Sequence, residues 1–275
     1  MKNKLFVIVF LLAATFAFGK ELSAADTNLI YKVLDARLQT QKYSEPSDAI
    51  SFLNSFEKEI KSSAEYNASN AEVKFIVENM LVLEKYSFMY KKDMKSPELK
   101  PFILAQNDKI EEWKKKDTNN DLSSWFYLSS GDVINSSMQF LSQATAIKQG
   151  LKEKDEYEMI AKNNPQHSFC LINKALWYYF APAIGGGSKS VAKTDFENAM
   201  KFAACNYEKF YSRVYLSQIY YDEKKSAESE KLLKECDEIL PDNIIVPFLR
   251  KLNENGYSMM YYIVNREKVD KKLGL

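Results

Sequence analysis

The sequence predicts an all-α protein built of stacked antiparallel helix hairpins, on two observations. Glycine is scarce: of eight, three are consecutive (Gly185, Gly186, Gly187), Gly19 and Gly274 lie near the ends, and only Gly131, Gly150 and Gly256 punctuate the rest. The long spans between them are rich in Lys, Glu, Leu and Ala, residues that lose little on entering a helix. Runs of strict apolar–polar alternation, the mark of half-buried strands, are absent.

The first 19 residues stand apart. Lys2 and Lys4 form a basic start, and Leu5 to Phe18 is apolar or small except at Thr15. Ala17 and Gly19 then place small residues at the −3 and −1 positions of a cleavage site. This pattern predicts a secretory signal peptide over residues 1–19, too short to span a bilayer, which needs roughly 20 residues. Residues 20–275 are expected to form one helical, repeat-like domain, exported to the periplasm or the exterior, with no membrane span in the mature chain. The net charge is +1. Removing the segment takes away two Lys and no acid, which leaves about −1. Near-neutral charge gives no long-range pull toward nucleic acid, so no nucleic-acid partner is expected.

The elements follow from caps and prolines. Residues 26–42 read as a helix with Leu29, Ile30, Val33, Leu34 and Leu38 on one face. Pro46-Ser47 opens a second, in which Ile50, Leu53 and Phe56 recur at helical spacing. Ser69 with Glu72 has the pattern of a capping box and opens a helix to Tyr90. That segment is apolar around most of its circumference (Val73, Phe75, Ile76, Val77, Met80, Leu81), as a central buried helix is. Ser96-Pro97 starts a helix that ends near Lys116. Helices resume through Trp125 and Phe140 to Lys162, and Asn164-Pro165 starts another. Helix pairs joined by short turns stack as antiparallel hairpins.

The clearest internal repeat lies in residues 165–242. Ala192, Phe196 and Ala199 share their spacing with Ser229, Leu233 and Cys236, each 37 residues later. Both triplets place a small, a large and a small residue on one helical stripe, so that two helices approach closely and the large residue fills the groove. Leu216-Ser217 and Tyr220 precede the second triplet and Pro241 follows it. These residues resemble the tetratricopeptide repeat, with Ser217 for Gly, Ser229 for Ala and Arg213 for Trp, and a turn inserted near Ala204-Cys205-Asn206. A weaker copy ends at Pro165, with Tyr157 and Ile160 in matching places. The resemblance implies a tetratricopeptide-like superhelix. In its register Tyr211, Val214, Gln218, Tyr221 and Asp222 face the concave groove and are the expected partner- or ligand-binding residues. The stretch Trp177-Tyr178-Tyr179-Phe180-Ala181-Pro182-Ala183-Ile184-Gly185-Gly186-Gly187-Ser188, followed by the first triplet, is similar to the T component of tripartite ATP-independent periplasmic transporters. That resemblance implies a transport accessory with a hydrophobic cavity that serves a substrate-binding protein. The chain departs from many such proteins in having no lipid-bearing Cys near the cleavage point.

Catalytic and cofactor motifs fail on inspection. Gly185 to Ser190 invites a phosphate loop, but Ser188 separates the glycines from Lys189-Ser190 and no strand precedes them. Asp117 to Asp121 begins like a calcium loop, yet Leu122 and Leu128 stand where Gly and Glu are required. His167 is the sole histidine. With Cys170 it forms a conceivable dyad, read here as packing, and Glu57 and Glu59 fall on a solvated face. The sequence therefore predicts no catalytic residues, no metal site and no cofactor. It reads as a binding or scaffold protein for another exported protein or an apolar small molecule. The alternatives are the transport accessory and an enzyme on a helical scaffold. Of Cys170, Cys205 and Cys236, at most one pair can bond; Cys170–Cys205 is the favoured pair, with Cys236 a reduced core residue.

Overall fold

The computed structural model describes residues 20–119 and 121–274; the signal-peptide reading of residues 1–19 lies outside them. Among the described residues there are fourteen α-helices, short 3-10 turns and no strand. Helix α1 (Ala24–Gln39) is capped by Ser23, whose hydroxyl accepts from the Asp26 amide, and continues as a 3-10 turn, Thr40–Lys42. Helix α2 (Pro46–Ser62) carries its proline in the first turn, where no N–H is needed. The five-residue α3 (Ala64–Ala68) then leads into α4 (Ala71–Lys92).

The start of α4 differs from the expected capping box. Asn70 is the cap, its side chain accepting from the Val73 amide at 2.9 Å, as good a capping group as Ser. Ser69 instead donates to Asp26 at 2.6 Å. Glu72 accepts from the Ser123 amide at 2.7 Å, so it serves the entry to the helix Ser124–Ser137 rather than its own.

Helix α5 (Leu99–Lys116) begins later than Ser96-Pro97 suggested. Those two residues lie in the preceding turn, and Pro101 occupies the first helical turn, where its missing donor costs nothing. The next helices are α6 (Ser124–Ser137) and α7 (Gln143–Asn163), joined through a 3-10 turn at Met138–Phe140. Helix α8 (Ser168–Phe180) is capped by His167, so Pro165 sits in the turn before it. Helices α9 (Lys189–Phe202), α10 (Asn206–Asp222) and α11 (Ser226–Ile239) follow. The chain ends with α12 (Ile245–Glu254), α13 (Met259–Val264) and α14 (Arg266–Leu273).

Neighbouring helices pack in pairs, α8 with α9 and α10 with α11 most closely. Helix α4 is central, as its apolar circumference required, and packs against α1, α2, α5 and α6. Its one polar stripe is satisfied: Gln106 donates to the buried Asn79 at 2.7 Å, and Asn79 donates to Ser129 and Ser130. Both repeat triplets, Ala192-Phe196-Ala199 and Ser229-Leu233-Cys236, are buried. The stack also returns on itself. Helix α10 packs against α1, and the Tyr207 amide donates to Asp35 at 2.9 Å across 172 residues of sequence.

No disulfide joins Cys170 to Cys205; all three cysteines are free and buried. The expected pair fails because the Cys170 thiol points at the Tyr157 carbonyl of α7. The Cys236 thiol is likewise turned toward the Phe210 carbonyl. Thiol titration of the protein, without reductant, should give no reaction in the native state and three equivalents after unfolding; one equivalent after unfolding would restore the disulfide.

The close contacts of α9 give a second test. Ala192→Leu and Ala199→Leu each force extra methylenes between packed helices. Each should lower stability by about 1–3 kcal/mol in urea unfolding, and unchanged midpoints for both would contradict this packing.

Candidate functional site

A cleft of about 670 Å³ opens between α6, α7, α8 and the turn after α8. Its walls are mostly apolar: Ile147 and Leu151 from α7, Leu176, Trp177 and Phe180 from α8, and Ala181 and Pro182 from the turn. Its polar lining consists of Asp132 and Asn135 from α6, Tyr157 from α7 and Asn173 from α8. Ile147 and Leu151 are 57% and 46% exposed although both are large and apolar. One helical turn apart, they form an unburied stripe on the rim.

Local sequence explains the shape. The Trp177 indole donates to the Gly150 carbonyl at 3.1 Å and ties α8 to α7. Gly131 lets the Tyr157 hydroxyl reach α6, since a Cβ there would lie 2.4 Å from it. After α8 the chain turns through Ala183–Gly185, and Gly186 adopts φ +96°. A Cβ on Gly187 would lie 1.8 Å from the Ala181 carbonyl oxygen. Gly186 and Gly187 thus serve a turn folded back on the end of α8, where the Ser188 amide donates to the Tyr178 carbonyl.

At the inner end of the cleft, Asp132 meets a buried charge network. The Arg37 guanidinium of α1 donates through Nε to Glu84 of α4 at 3.0 Å. Its Nη1 lies 3.9 Å from Asp132, beyond hydrogen-bond reach, and is buried without a partner. Glu84 also accepts from Thr40 at 2.9 Å. Burial alone would lower the Arg37 pKa, but Tyr207, Glu84 and Asp132 together hold it above its ordinary value. Burial pushes Asp132 up to about 6, against the pull of Arg37, which leaves it largely anionic at neutral pH. Tyr207, Tyr211 and Tyr215, on one stripe of α10, feel the same charges, and burial raises all three hydroxyls. Each of the three is half-buried.

Glu153 of α7 is the most unusual acid. It is 2% exposed, and neither carboxyl oxygen has a hydrogen-bond partner. Burial, aided by Glu156, pushes it up to about 9, so it is a neutral acid at pH 7.

The residues expected to line a groove on α10 do not share one open face. Val214 is buried in the core. Gln218 is fully buried and accepts from the Met259 amide at 3.2 Å, which fixes the start of α13. The Tyr221 hydroxyl donates to the Asn253 carbonyl at 2.7 Å, and Asp222 pairs with Lys189 at 2.5 Å. Tyr211 alone joins the tyrosine stripe, 4.5 Å from Tyr207 between ring centres.

Nor do the other sequence candidates form a reactive group. His167 lies 4.5 Å from Trp125 between ring centres, with the planes tilted by 54°, and its Nδ1 accepts from the Cys170 amide. Burial lowers His167 to about 4 and raises Cys170 to about 12, so neither is charged at neutral pH. The Asp117 carboxylate accepts from the Asp121 and Leu122 amides. Glu57 pairs with Lys61 and Lys85. Among the described residues no group of three or more His, Cys, Asp or Glu is arranged to hold a metal ion.

Glu153 yields a pH test. Its folded pKa lies above the unfolded value near 4.5, so the folded state holds a proton that the unfolded chain releases. Its contribution to stability is therefore full below pH 4.5 and lost as pH rises toward 9. Glu153→Met removes this dependence. The variant should match the wild type near pH 5 and exceed it by ~2 kcal/mol or more at pH 8. A constant offset across that range would show that Glu153 does not titrate as stated.

Compared with models of known protein families and with curated proteins, the chain matches none, which leaves the chemistry of the cleft as the guide to function.

Proposed function

We propose that this chain is an exported helical-repeat binding protein whose cleft between α6, α7 and α8 takes up an apolar small molecule. The observation that carries this reading is the exposed pair Ile147 and Leu151, set on the rim of an apolar cavity of about 670 Å³. Leaving large apolar side chains in water is unfavourable by about 25 cal/mol per Å². Grouped at a concave site, they mark a place for a ligand. The volume lies within the ordinary range for small-molecule sites. Polar lining residues are few: Asp132, Asn135, Tyr157 and Asn173.

A second reading, a transport accessory resembling the T component of tripartite ATP-independent transporters, is favoured by the same cavity. In that reading the bound molecule passes to or from an exported substrate-binding protein. No helix among the described residues is long and apolar enough to cross a membrane. Genes for a substrate-binding protein and a membrane permease next to this one would favour the accessory role over free-standing binding.

Titration with an uncharged solvatochromic dye tests the cleft. The dye should bind with a blue-shifted emission. Leu151→Glu places a charge on the rim and should weaken binding about tenfold, or 1.4 kcal/mol. Because Leu151 is half exposed, the thermal midpoint should move little. Dye binding unchanged by this substitution would remove the cleft as the site.

A further inference from the structure

We propose that the cleft selects amphiphiles that end in a positively charged ammonium group, which Asp132 receives at its inner end. This rests on the cleft being the ligand site and adds the chemical class of the ligand.

The argument is one of charge balance. Three charged side chains meet behind the cleft: Arg37, Glu84 and Asp132. Glu84 takes the Arg37 Nε–H directly at 3.0 Å, whereas Asp132 stands 3.9 Å from Nη1 and shares no hydrogen bond with it. One cation therefore faces two anions, and the member left without a direct partner is the one that lines the cleft. Asp132 retains 17% exposure of its side chain, while Arg37 and Glu84 retain 5% and 9%. The uncompensated negative charge is thus reachable from the cleft. The neighbouring acid on α7, Glu153, is protonated at neutral pH and adds no charge.

One further feature agrees. No Lys or Arg is among the described residues that line the cleft. Lys154, whose ammonium lies 5.6 Å from the Trp177 ring centre, is paired with Glu158 at 3.1 Å. A carboxylate or sulfate head would meet Asp132 as a like charge. A neutral head would leave the acid buried and unpaired. An ammonium answers it directly through a charge-assisted hydrogen bond.

Calorimetric titration of the mature chain at pH 7.5 with decylammonium, decanol and decanoate separates the possibilities, since the three share one apolar tail. Decylammonium should bind about tenfold tighter than decanol, and decanoate more weakly than either. Asp132→Asn should bring decylammonium to within ~threefold of decanol. Should that variant not fold, the wild-type ranking alone decides. Decanol binding as tightly as decylammonium, or decanoate binding tightest, overturns the ammonium assignment and leaves the apolar cleft intact. Failure of all three to bind overturns the cleft as a ligand site.

Discussion

The structure depends on one buried cation. Arg37 joins helices that are far apart in sequence: it bonds to Glu84 on α4, lies near Asp132 on α6 and stacks over the Tyr207 ring of α10 at 5.1 Å. A buried guanidinium loses its hydration, and removing a partner from such a pair is expensive because the remaining charge is stranded. The four helices must therefore arrive together. That requirement turns a stack of local hairpins into one that closes, with α10 brought back to α1. The Asp35–Tyr207 hydrogen bond and the bond from the Ile244 amide to the Gln41 carbonyl hold the same seam.

Much of the architecture was legible in the sequence because it follows from local rules. A helix apolar on most sides has to be central, and α4 is. A small-large-small triplet repeated at 37 residues has to be a buried helix contact, and both copies are. The misreadings came where two local signals competed. Asn70 and Ser69 both cap well, and the choice fell to Asn70 because Asp26 of another helix claims the Ser69 hydroxyl. The short α3 has too few residues for any periodicity to show.

The site was less legible, for a different reason. The groove assigned to α10 assumed that residues three and four apart face open space. Helix α10 is packed by α1, α8, α9 and α11, so Val214 and Gln218 point into contacts. Tyr207, Tyr211 and Tyr215 stay half-buried along one stripe, as does Tyr221 near the end of the helix. The cleft draws on three helices and a turn, and its key acid, Asp132, looks in sequence like any polar residue of a helix. One signal was present. Ile147 and Leu151 are apolar at a spacing of four in the first half of a helix whose core anchors, Tyr157 and Ile160, come in its second half. The aromatic segment ending in Pro182 and three glycines marked the opposite wall, though the resemblance it suggested concerned the protein and not the residues that line the cavity.

Stability alone does not account for the polar atoms around Asp132. Arg37 Nη1, both oxygens of Glu153 and the Asn173 amide nitrogen are buried without partners. They come from three different helices. Apolar side chains of the same size would leave the fold as stable or more so. A buried polar group without a partner is a cost the folded state carries at all times. Of the three residues only Asn173 lines the apolar cleft, and Arg37 meets Asp132 behind it. The tyrosine stripe of α10 extends the same reasoning inward. Burial raises its hydroxyls, and Tyr207 and Tyr215 both feel the charges of Arg37, Glu84 and Asp132. Asp132 thus both lines the cleft and borders the charge cluster that joins α1, α4 and α10.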